Sequence, residues 1–169
     1  MHLIVADSSP LIYLTRLGFF SLLRILHDSV IVPASVWNEV VIGGAGLPES
    51  KALQTAVADG WIQVMAPTVN APALGARAAD LGAGEVQAIQ LARELRAVLA
   101  TDDAEGRELA EHLGVKVTGT VGILIRATKA GHLPELRPTL DRLRRGTNFR
   151  MSEQLYFSAL KTVGEHTAR

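Results

Sequence analysis

Short apolar runs alternate along the chain with longer segments in which apolar side chains recur every three or four positions. The short runs are typical of buried strands, and the longer segments are typical of amphipathic helices. Strands are predicted at Leu3–Ala6, Val30–Val32, Trp61–Met65, Ala97–Ala100 and Val115–Val117. Helices are predicted at Pro10–Leu17, Phe19–Leu26, Pro33–Ile42, Lys51–Ala58, Gly84–Arg96, Ala104–Leu113, Val121–Ala130, Glu135–Arg145 and Ser152–Val163. This alternation indicates a three-layer α/β/α fold around a central, mostly parallel sheet of about five strands.

Local signals set the predicted element boundaries. Ser9 is the expected N-cap of the first helix, because Pro10 suits a first helical position. Gly18 and Gly114 are expected to end helices. The segment Ala66–Leu74 contains two prolines and is predicted to be a loop.

Composition limits the class of protein. The chain has 169 residues, 48% of them hydrophobic, which predicts one domain over residues 1–169 with C-terminal helices, at about 134–163, packed on it. Seventeen basic residues balance seventeen acidic ones, which argues against coating nucleic acid by bulk charge. The absence of cysteine excludes disulfides, thiolate metal sites and thiol catalysis. With no basic leader and no apolar run of about 18 residues, we expect a cytoplasmic protein without membrane association.

Acidic side chains directly follow two of the predicted strands. Asp7 comes after Leu3–Ala6, and Asp102 and Asp103 follow Ala97–Ala100 across Thr101. The carboxyl ends of parallel strands meet at one edge of a sheet, where ligands bind. Carboxylates at such a place are costly unless they face solvent or hold a cation. The pattern therefore predicts an acidic, metal-binding pocket.

Four stretches of the sequence resemble the PIN-domain family, the nuclease fold of the VapC-type toxins. They are VADSSPLIYL, VPASVWNEV, LGAGEVQAIQLA and LATDDAEGRELAEHLGVKVTGTVGIL. The tail NFRMSEQLYFSALKTVGE is similar to a PIN-like subfamily of predicted nucleic-acid-binding proteins. The resemblance covers nearly the whole chain, and its specificity comes from four acidic motifs in the right order.

The resemblance implies an Mg²⁺- or Mn²⁺-dependent endoribonuclease that cleaves single-stranded RNA, acting as the toxin of a toxin–antitoxin pair with an antitoxin protein as partner. The implied catalytic residues and metal ligands are Asp7, Glu39, Glu85 and Asp103, with Asp102 as an additional ligand. Ser9 and Thr101 would orient the ligands. Glu85 stands where most toxin members have an aspartate, so its carboxylate reaches about one bond length further.

The chemistry of these residue types agrees with that implication. Several carboxylates in one cavity suit a hard divalent cation that retains some of its water. Such an ion can lower the pKa of a bound water and neutralise charge that develops at a phosphodiester. No histidine base is then needed.

Each acid also has an ordinary structural interpretation. Asp7 and Ser9 could cap one helix, and Asp102 and Asp103 could cap another. Glu39 could belong to a solvated polar stripe. Glu85 could complement the dipole of its helix, although it heads an apolar stripe that contains Ala88, Ile89 and Ala92.

Basic side chains concentrate near the C-terminus, at Arg137, Arg142, Arg144, Arg145 and Arg150. Such a run is often a solvated helix face, but it is also the best candidate for contacting a phosphate backbone, through Arg142, Arg144 and Arg145. Arg107 is a second candidate, and its structural alternative is a salt bridge to Asp103 or Glu111.

Surplus apolar residues near the first helices predict a homodimer. Tyr13, Leu14, Leu17 and Phe20 exceed what one helix face must bury, and the alternative is a thick core. Two other classes of function stay open at this point. One is a catalytically silent PIN-fold module that binds nucleic acid or protein. The other is a receiver-like Mg²⁺-binding signalling domain, although Asp7 lacks the acidic neighbour that such domains need.

Overall fold

A computed structural model describes residues 2–68 and 73–165. Within these residues five parallel strands form one sheet, in the order β3-β2-β1-β4-β5. The strands are β1 (Leu3–Ala6), β2 (Ser29–Pro33), β3 (Ile62–Met65), β4 (Val98–Ala100) and β5 (Val117–Thr118). The predicted α/β fold with a parallel central sheet is confirmed.

Helices connect the strands and cover both faces of the sheet. They are α1 (Ser8–Leu17), α2 (Leu22–Leu26), α3 (Ala34–Trp37), α4 (Pro48–Ala58), α5 (Ala83–Leu95), α6 (Ala104–His112), α7 (Thr120–Lys129), α8 (Leu136–Gly146) and α9 (Glu153–Thr162). A π-helical segment, Asn38–Gly43, continues α3, and a 3₁₀ turn spans Ala76–Ala78.

The alternation of side chains along β1 divides the core into two layers. Ile4 and Ala6 face a cluster that includes side chains of α1, α2, α4, α7, α8 and α9. Val5 faces the opposite cluster, which contains α5 and α6. Successive strand residues point to opposite faces, so a short apolar run with both faces buried is what a three-layer fold requires.

Several predicted boundaries were wrong. Asp7, not Ser9, is the N-cap of α1. Phe19 and Phe20 lie in a turn before α2, and α4 begins at Pro48 rather than Lys51. The predicted strand Val115–Val117 is shifted to Val117–Thr118, because Val115 still belongs to the turn after α6 and packs into the core. Four residues of the predicted loop Ala66–Leu74, at 69–72, lie outside the described residues.

Half of the apolar surplus that suggested a homodimer is buried in the core, and the other half is half-buried against it. Leu14 and Leu17 are buried, Tyr13 packs edge-on against Phe149, and Phe20 packs against Trp61. The thick-core alternative accounts for Leu14 and Leu17, and the homodimer stays a prediction. No helix of the described residues is long and apolar enough to cross a membrane.

Candidate functional site

The sheet changes winding direction between β1 and β4. From β1 the chain proceeds to β2 and β3 on one side, whereas β4 and β5 lie on the other side. At such a switch point the connections after the two central strands diverge and leave a crevice at their carboxyl ends. Asp7 follows β1, and Thr101 follows β4. The Asp7 N–H donates to the Ala100 carbonyl at 2.9 Å, so the two strand ends stay paired up to the crevice.

Asp7 is a buried carboxylate with two hydrogen bonds, and only 3% of its surface is exposed. Its Oδ1 accepts from the Ser8 N–H at 2.8 Å, and its Oδ2 accepts from the Thr101 hydroxyl at 3.0 Å. Burial raises the pKa of Asp7 from 3.8 to about 6, although these hydrogen bonds favour the charged form. The negative charges of Glu85 and Glu39 raise this pKa further. A cation beside Asp7 would offset both the loss of solvation and the repulsion from the neighbouring carboxylates.

The two adjacent acids after β4 have different surroundings. Asp103 is the N-cap of α6, and its Oδ1 accepts from the Gly106 N–H at 2.7 Å. Asp102 uses both oxygens on Thr120, the first residue of α7, with distances of 2.7 Å to its N–H and 2.5 Å to its hydroxyl. Asp102 therefore anchors α7, whereas Oδ2 of Asp103 accepts no hydrogen bond from the described residues and is open to a ligand.

Glu85 and Glu39 approach from the other side of the crevice. Oε2 of Glu85 accepts from the Gly82 N–H at 2.8 Å, which places the side chain at the start of α5. Burial raises the pKa of Glu85, and the charges of Asp103 and Glu39 add to the effect. A Cβ built on Gly84 would lie 3.2 Å from Oε2 of Glu39 and 3.7 Å from Oδ1 of Asp7. Gly84 thus allows the two carboxylates to approach α5.

Ser9 and Thr101 hold the acids in place. The Ser9 hydroxyl accepts from the Asp102 N–H at 3.1 Å. The Thr101 hydroxyl donates to Asp7 and accepts from the Asp103 N–H at 3.3 Å. Both hydroxyls therefore contact the acids, and their role in orienting metal ligands stays a prediction.

A cavity of about 390 Å³ opens over these acids. Four of the predicted acids line it, together with Ser9: Asp7, Glu85, Asp102 and Asp103. Glu39 is not among the lining residues. It lies close enough to Asp7 and Glu85 for its negative charge to raise the pKa of both carboxyl groups.

Five further residues line the cavity: Ser8, Tyr13, Asn148, Phe149 and Arg150. Arg150 belongs to the basic stretch that the sequence offered for phosphate contact, and the other four were missed by the site prediction. The sequence signal that could have found Asn148, Phe149 and Arg150 is the NFR at the start of the resembling tail, whereas Tyr13 and Ser8 lie in the first resembling stretch, VADSSPLIYL.

The four arginines that were predicted to bind nucleic acid have other contacts. The Arg107 guanidinium donates to the Thr101 carbonyl at 3.2 Å and pairs with Glu111 at 3.9 Å, as its structural alternative proposed. Arg142 donates to the Leu17 carbonyl at 2.9 Å, and Arg144 stacks on the Tyr156 ring. Arg145 lines a neighbouring cavity of about 360 Å³ together with Arg16 and Arg142. None of these four is among the residues that line the acidic cavity.

The donor set fits a hard cation only with the help of water. In the described parts of the chain, no three acidic or imidazole side chains lie close enough together to hold one ion directly. Mg²⁺ is usually held by only one or two carboxylates and keeps several waters, so Asp7 and Asp103 could suffice as direct ligands. All the donors are oxygens, which suits Mg²⁺ or Mn²⁺.

Comparison with known proteins gives one family. A family model described as a PIN domain matches residues 3–165. No curated protein matches the sequence.

Proposed function

The chain belongs to the PIN-domain family, a family of nuclease-type fold, and on that premise we propose that it is a metal-dependent endoribonuclease that cleaves single-stranded RNA. The observation that carries this proposal is the convergence of carboxylates at the switch of the sheet. Asp7 and Asp103 come from the two central strands, and Glu39 and Glu85 come from the opposite side. A phosphodiester carries negative charge, so such a site needs a cation before it can receive substrate.

Asp7 and Asp103 would hold Mg²⁺ or Mn²⁺ directly, and Glu39 and Glu85 directly or through water. When bound, the ion supplies a water of lowered pKa and neutralises charge on the phosphodiester. The protein supplies geometry. Thr101 fixes the Asp7 carboxylate, and the cap on Gly106 engages Oδ1 of Asp103, which leaves Oδ2 without a hydrogen bond from the described residues. Asp102 keeps α7 against the site through Thr120.

A role as the toxin of a toxin–antitoxin pair is part of this proposal, supported by the resemblance to VapC-type toxins. An antitoxin protein would then be the physiological partner. A homodimer remains compatible with this role, but Leu14 and Leu17 are buried in the core and cannot contribute to its surface.

A catalytically silent module is the second candidate. One observation favours it: no three acids in the described residues are placed to share an ion without water. Metal dependence separates the two functions, because a silent module would bind nucleic acid without cleaving it.

The test is cleavage of a single-stranded RNA by the purified protein with Mn²⁺, Mg²⁺ or EDTA. We expect cleavage with either metal, none with EDTA, and a loss of at least about 100-fold in Asp103→Asn, since loss of one ligand group weakens metal binding strongly. Asn caps helices about as well as Asp, so this variant should stay folded.

Calorimetric titration with Mn²⁺ provides a second readout for the same pair of proteins. Wild type should bind Mn²⁺, and Asp103→Asn should bind it at least about tenfold more weakly. Equal Mn²⁺ binding and equal cleavage in the two proteins would contradict the assignment. Mn²⁺ binding without any RNA cleavage would favour the silent module.

A further inference from the structure

A short segment between α8 and α9 forms one wall of the acidic cavity. Asn148, Phe149 and Arg150 line the cavity from this segment, and Tyr13 of α1 lines it beside them. None of these four side chains is a metal ligand in the proposed function. Their chemistry, an aromatic pair and a cation beside a set of acids, therefore needs its own explanation.

The aromatic pair is held rigidly. The Tyr13 and Phe149 rings meet edge to face, with centroids 5.0 Å apart and an interplanar angle of 86°. The Tyr13 hydroxyl donates to Oδ1 of Asn148 at 3.2 Å. The Phe149 N–H donates to the Thr147 hydroxyl at 3.1 Å, and that hydroxyl donates to the Leu143 carbonyl at 2.6 Å. Both rings are only half-buried, so part of each is accessible from the cavity.

Arg150 is the only cation among the residues that line this cavity. Its side chain is exposed, and it makes no ion pair or hydrogen bond with the described residues, although four carboxylates line the same cavity. Arg142 and Arg144, by contrast, are engaged by the Leu17 carbonyl and the Tyr156 ring. An unpaired guanidinium at the rim of an acidic site is available to an anion that approaches that site. Arginine binds phosphate well, because its planar fork matches two phosphate oxygens.

We propose that Tyr13, Phe149 and Arg150 form a nucleotide clamp at the rim of the site. Arg150 binds the phosphate next to the one held over the acids, and the exposed face of the Phe149–Tyr13 pair stacks the base that this phosphate carries. This inference rests on the proposed function and deepens it. A base must leave its helix to stack on a side chain, so the clamp selects single strands. Every base has a π-face, so the clamp accepts any sequence.

The clamp is tested by binding rather than by cleavage. Fluorescence anisotropy in Mn²⁺ measures the Kd of a labelled single-stranded RNA oligonucleotide with a cleavage-resistant phosphorothioate backbone for the full chain, as a function of salt. Arg150→Gln should raise the Kd about tenfold, and it should lower the salt slope by about 0.7, the value for one phosphate contact on a single strand. Arg150→Lys keeps the charge and should restore most of the slope.

Phe149 is tested with a matched pair of variants and a modified ligand. Phe149→Leu should raise the Kd at least about fivefold, because it removes the stacking surface, whereas Phe149→Trp keeps an aromatic face and should bind at least as well as wild type. An oligonucleotide without bases should bind wild type and Phe149→Leu equally. If Phe149→Leu proves unfolded in a thermal melt, the Kd of Phe149→Trp is compared with that of wild type for both oligonucleotides. Stacking is then supported if Phe149→Trp binds the oligonucleotide with bases at least as tightly as wild type does, and is contradicted if it binds more weakly.

Arg96→Gln is the control for charge. Arg96 is exposed and lines a different cavity, at the opposite edge of the sheet with His2 and Lys116. Its substitution should leave the Kd and the salt slope unchanged. An unchanged Kd in both Arg150→Gln and Phe149→Leu overturns the clamp, as does equally tight binding of a duplex of the same sequence. If the clamp is overturned but the protein still cleaves RNA, the nuclease proposal stands. If binding depends on the clamp but no RNA is cleaved, the nuclease proposal is refuted and the clamp stands.

Discussion

At the scale of single residues, Asp7 combines two tasks that the sequence presents as alternatives. Its Oδ1 accepts from the Ser8 N–H at the start of α1, so the capping interpretation is correct. The same carboxylate lines the acidic cavity, so capping does not exclude a ligand role. Burial at this position disfavours the charged carboxylate, and the pKa of Asp7 is therefore raised.

The stability of the metal-free protein should therefore depend on pH through Asp7. The folded pKa of about 6 lies above the ordinary value of 3.8, so the folded state binds the proton more tightly than the unfolded chain does. Its contribution to stability is complete below about pH 3.8 and is lost as the pH rises through 6. The shift corresponds to at most about 3 kcal/mol.

Asp7→Asn should remove this dependence. In EDTA at pH 7 the variant should unfold at a higher denaturant concentration than wild type, and at pH 4 the two should be nearly equal. Urea titrations at both pH values measure the difference. Asp59→Asn, at an exposed helix end, is the control and should follow wild type. A pH profile of Asp7→Asn that parallels wild type would show that Asp7 does not carry the effect.

The sequence identified the acids but could not separate Asp102 from Asp103. The two residues are adjacent, and both follow the same strand. Their difference arises from Thr120, which lies 18 positions further along the chain and takes both oxygens of Asp102. A contact of that kind depends on tertiary structure, so no local pattern in the sequence contains it.

At the scale of elements, hydrophobic periodicity predicted the strands and most of the helices, because the central strands β1, β2 and β4 are short apolar runs with side chains buried on both faces. It failed where one element ends and another begins. The region Pro33–Ile42 has a helical pattern throughout, yet its second half is π-helical in Asn38–Gly43. Periodicity does not distinguish these hydrogen-bond patterns. The π-helical segment carries Glu39 and is therefore relevant to the site.

Gly84 is a place where two elements meet closely at the site, and Gly84→Ala should separate them. The added Cβ would lie 3.1 Å from Cγ2 of Val36 and 3.2 Å from Oε2 of Glu39, closer than ordinary contacts. Glu39 must move, so we expect Mn²⁺ binding to weaken by roughly tenfold, as for other groups that support metal ligands. Isothermal titration calorimetry measures this change.

Gly146→Ala is the matched control, because Gly146 ends α8 and a Cβ there meets nothing within 4 Å. This variant should bind Mn²⁺ like wild type and be no less stable. If Gly84→Ala also binds Mn²⁺ like wild type, the close approach of Glu39 has no role in metal binding.

At the scale of the whole molecule, a side chain that follows α9 caps the start of α8, although the two are distant in sequence. Oε1 of Glu165 accepts from the Leu136 N–H at 2.5 Å, and Oε2 accepts from the Arg137 N–H at 2.8 Å. Glu165 thereby satisfies the first turn of α8 from beyond the end of α9. Glu135, the N-cap residue of α8 itself, makes no side-chain capping bond.

Glu165→Ala should consequently destabilise the protein by about 1–2 kcal/mol, the usual cost of losing a helix cap. Glu135→Ala should cost little. Thermal or urea unfolding of the two variants measures both values. Comparable losses in the two proteins would mean that α8 does not depend on Glu165.

The tertiary path of the C-terminal tail was not predictable from the sequence in detail. The periodicity of α8 and α9 is visible, but the contact of Tyr13 with Asn148 joins residues 135 positions apart. Such a contact depends on how several elements pack together, which no local pattern in the sequence contains. The resemblance marked the tail as part of the family pattern without assigning it a task.

The separation between Tyr13 and Asn148 also has a consequence for synthesis. A ribosome makes the chain from its amino terminus, so β1, α1 and the acids through Asp103 emerge before the cavity wall at Asn148–Arg150 exists. Contacts of such long range form late, since the intervening chain must first be ordered. The acidic crevice of a growing chain is therefore open on one side. A complete cavity requires that synthesis has passed Arg150, which delays any activity of the site until this wall has emerged from the ribosome.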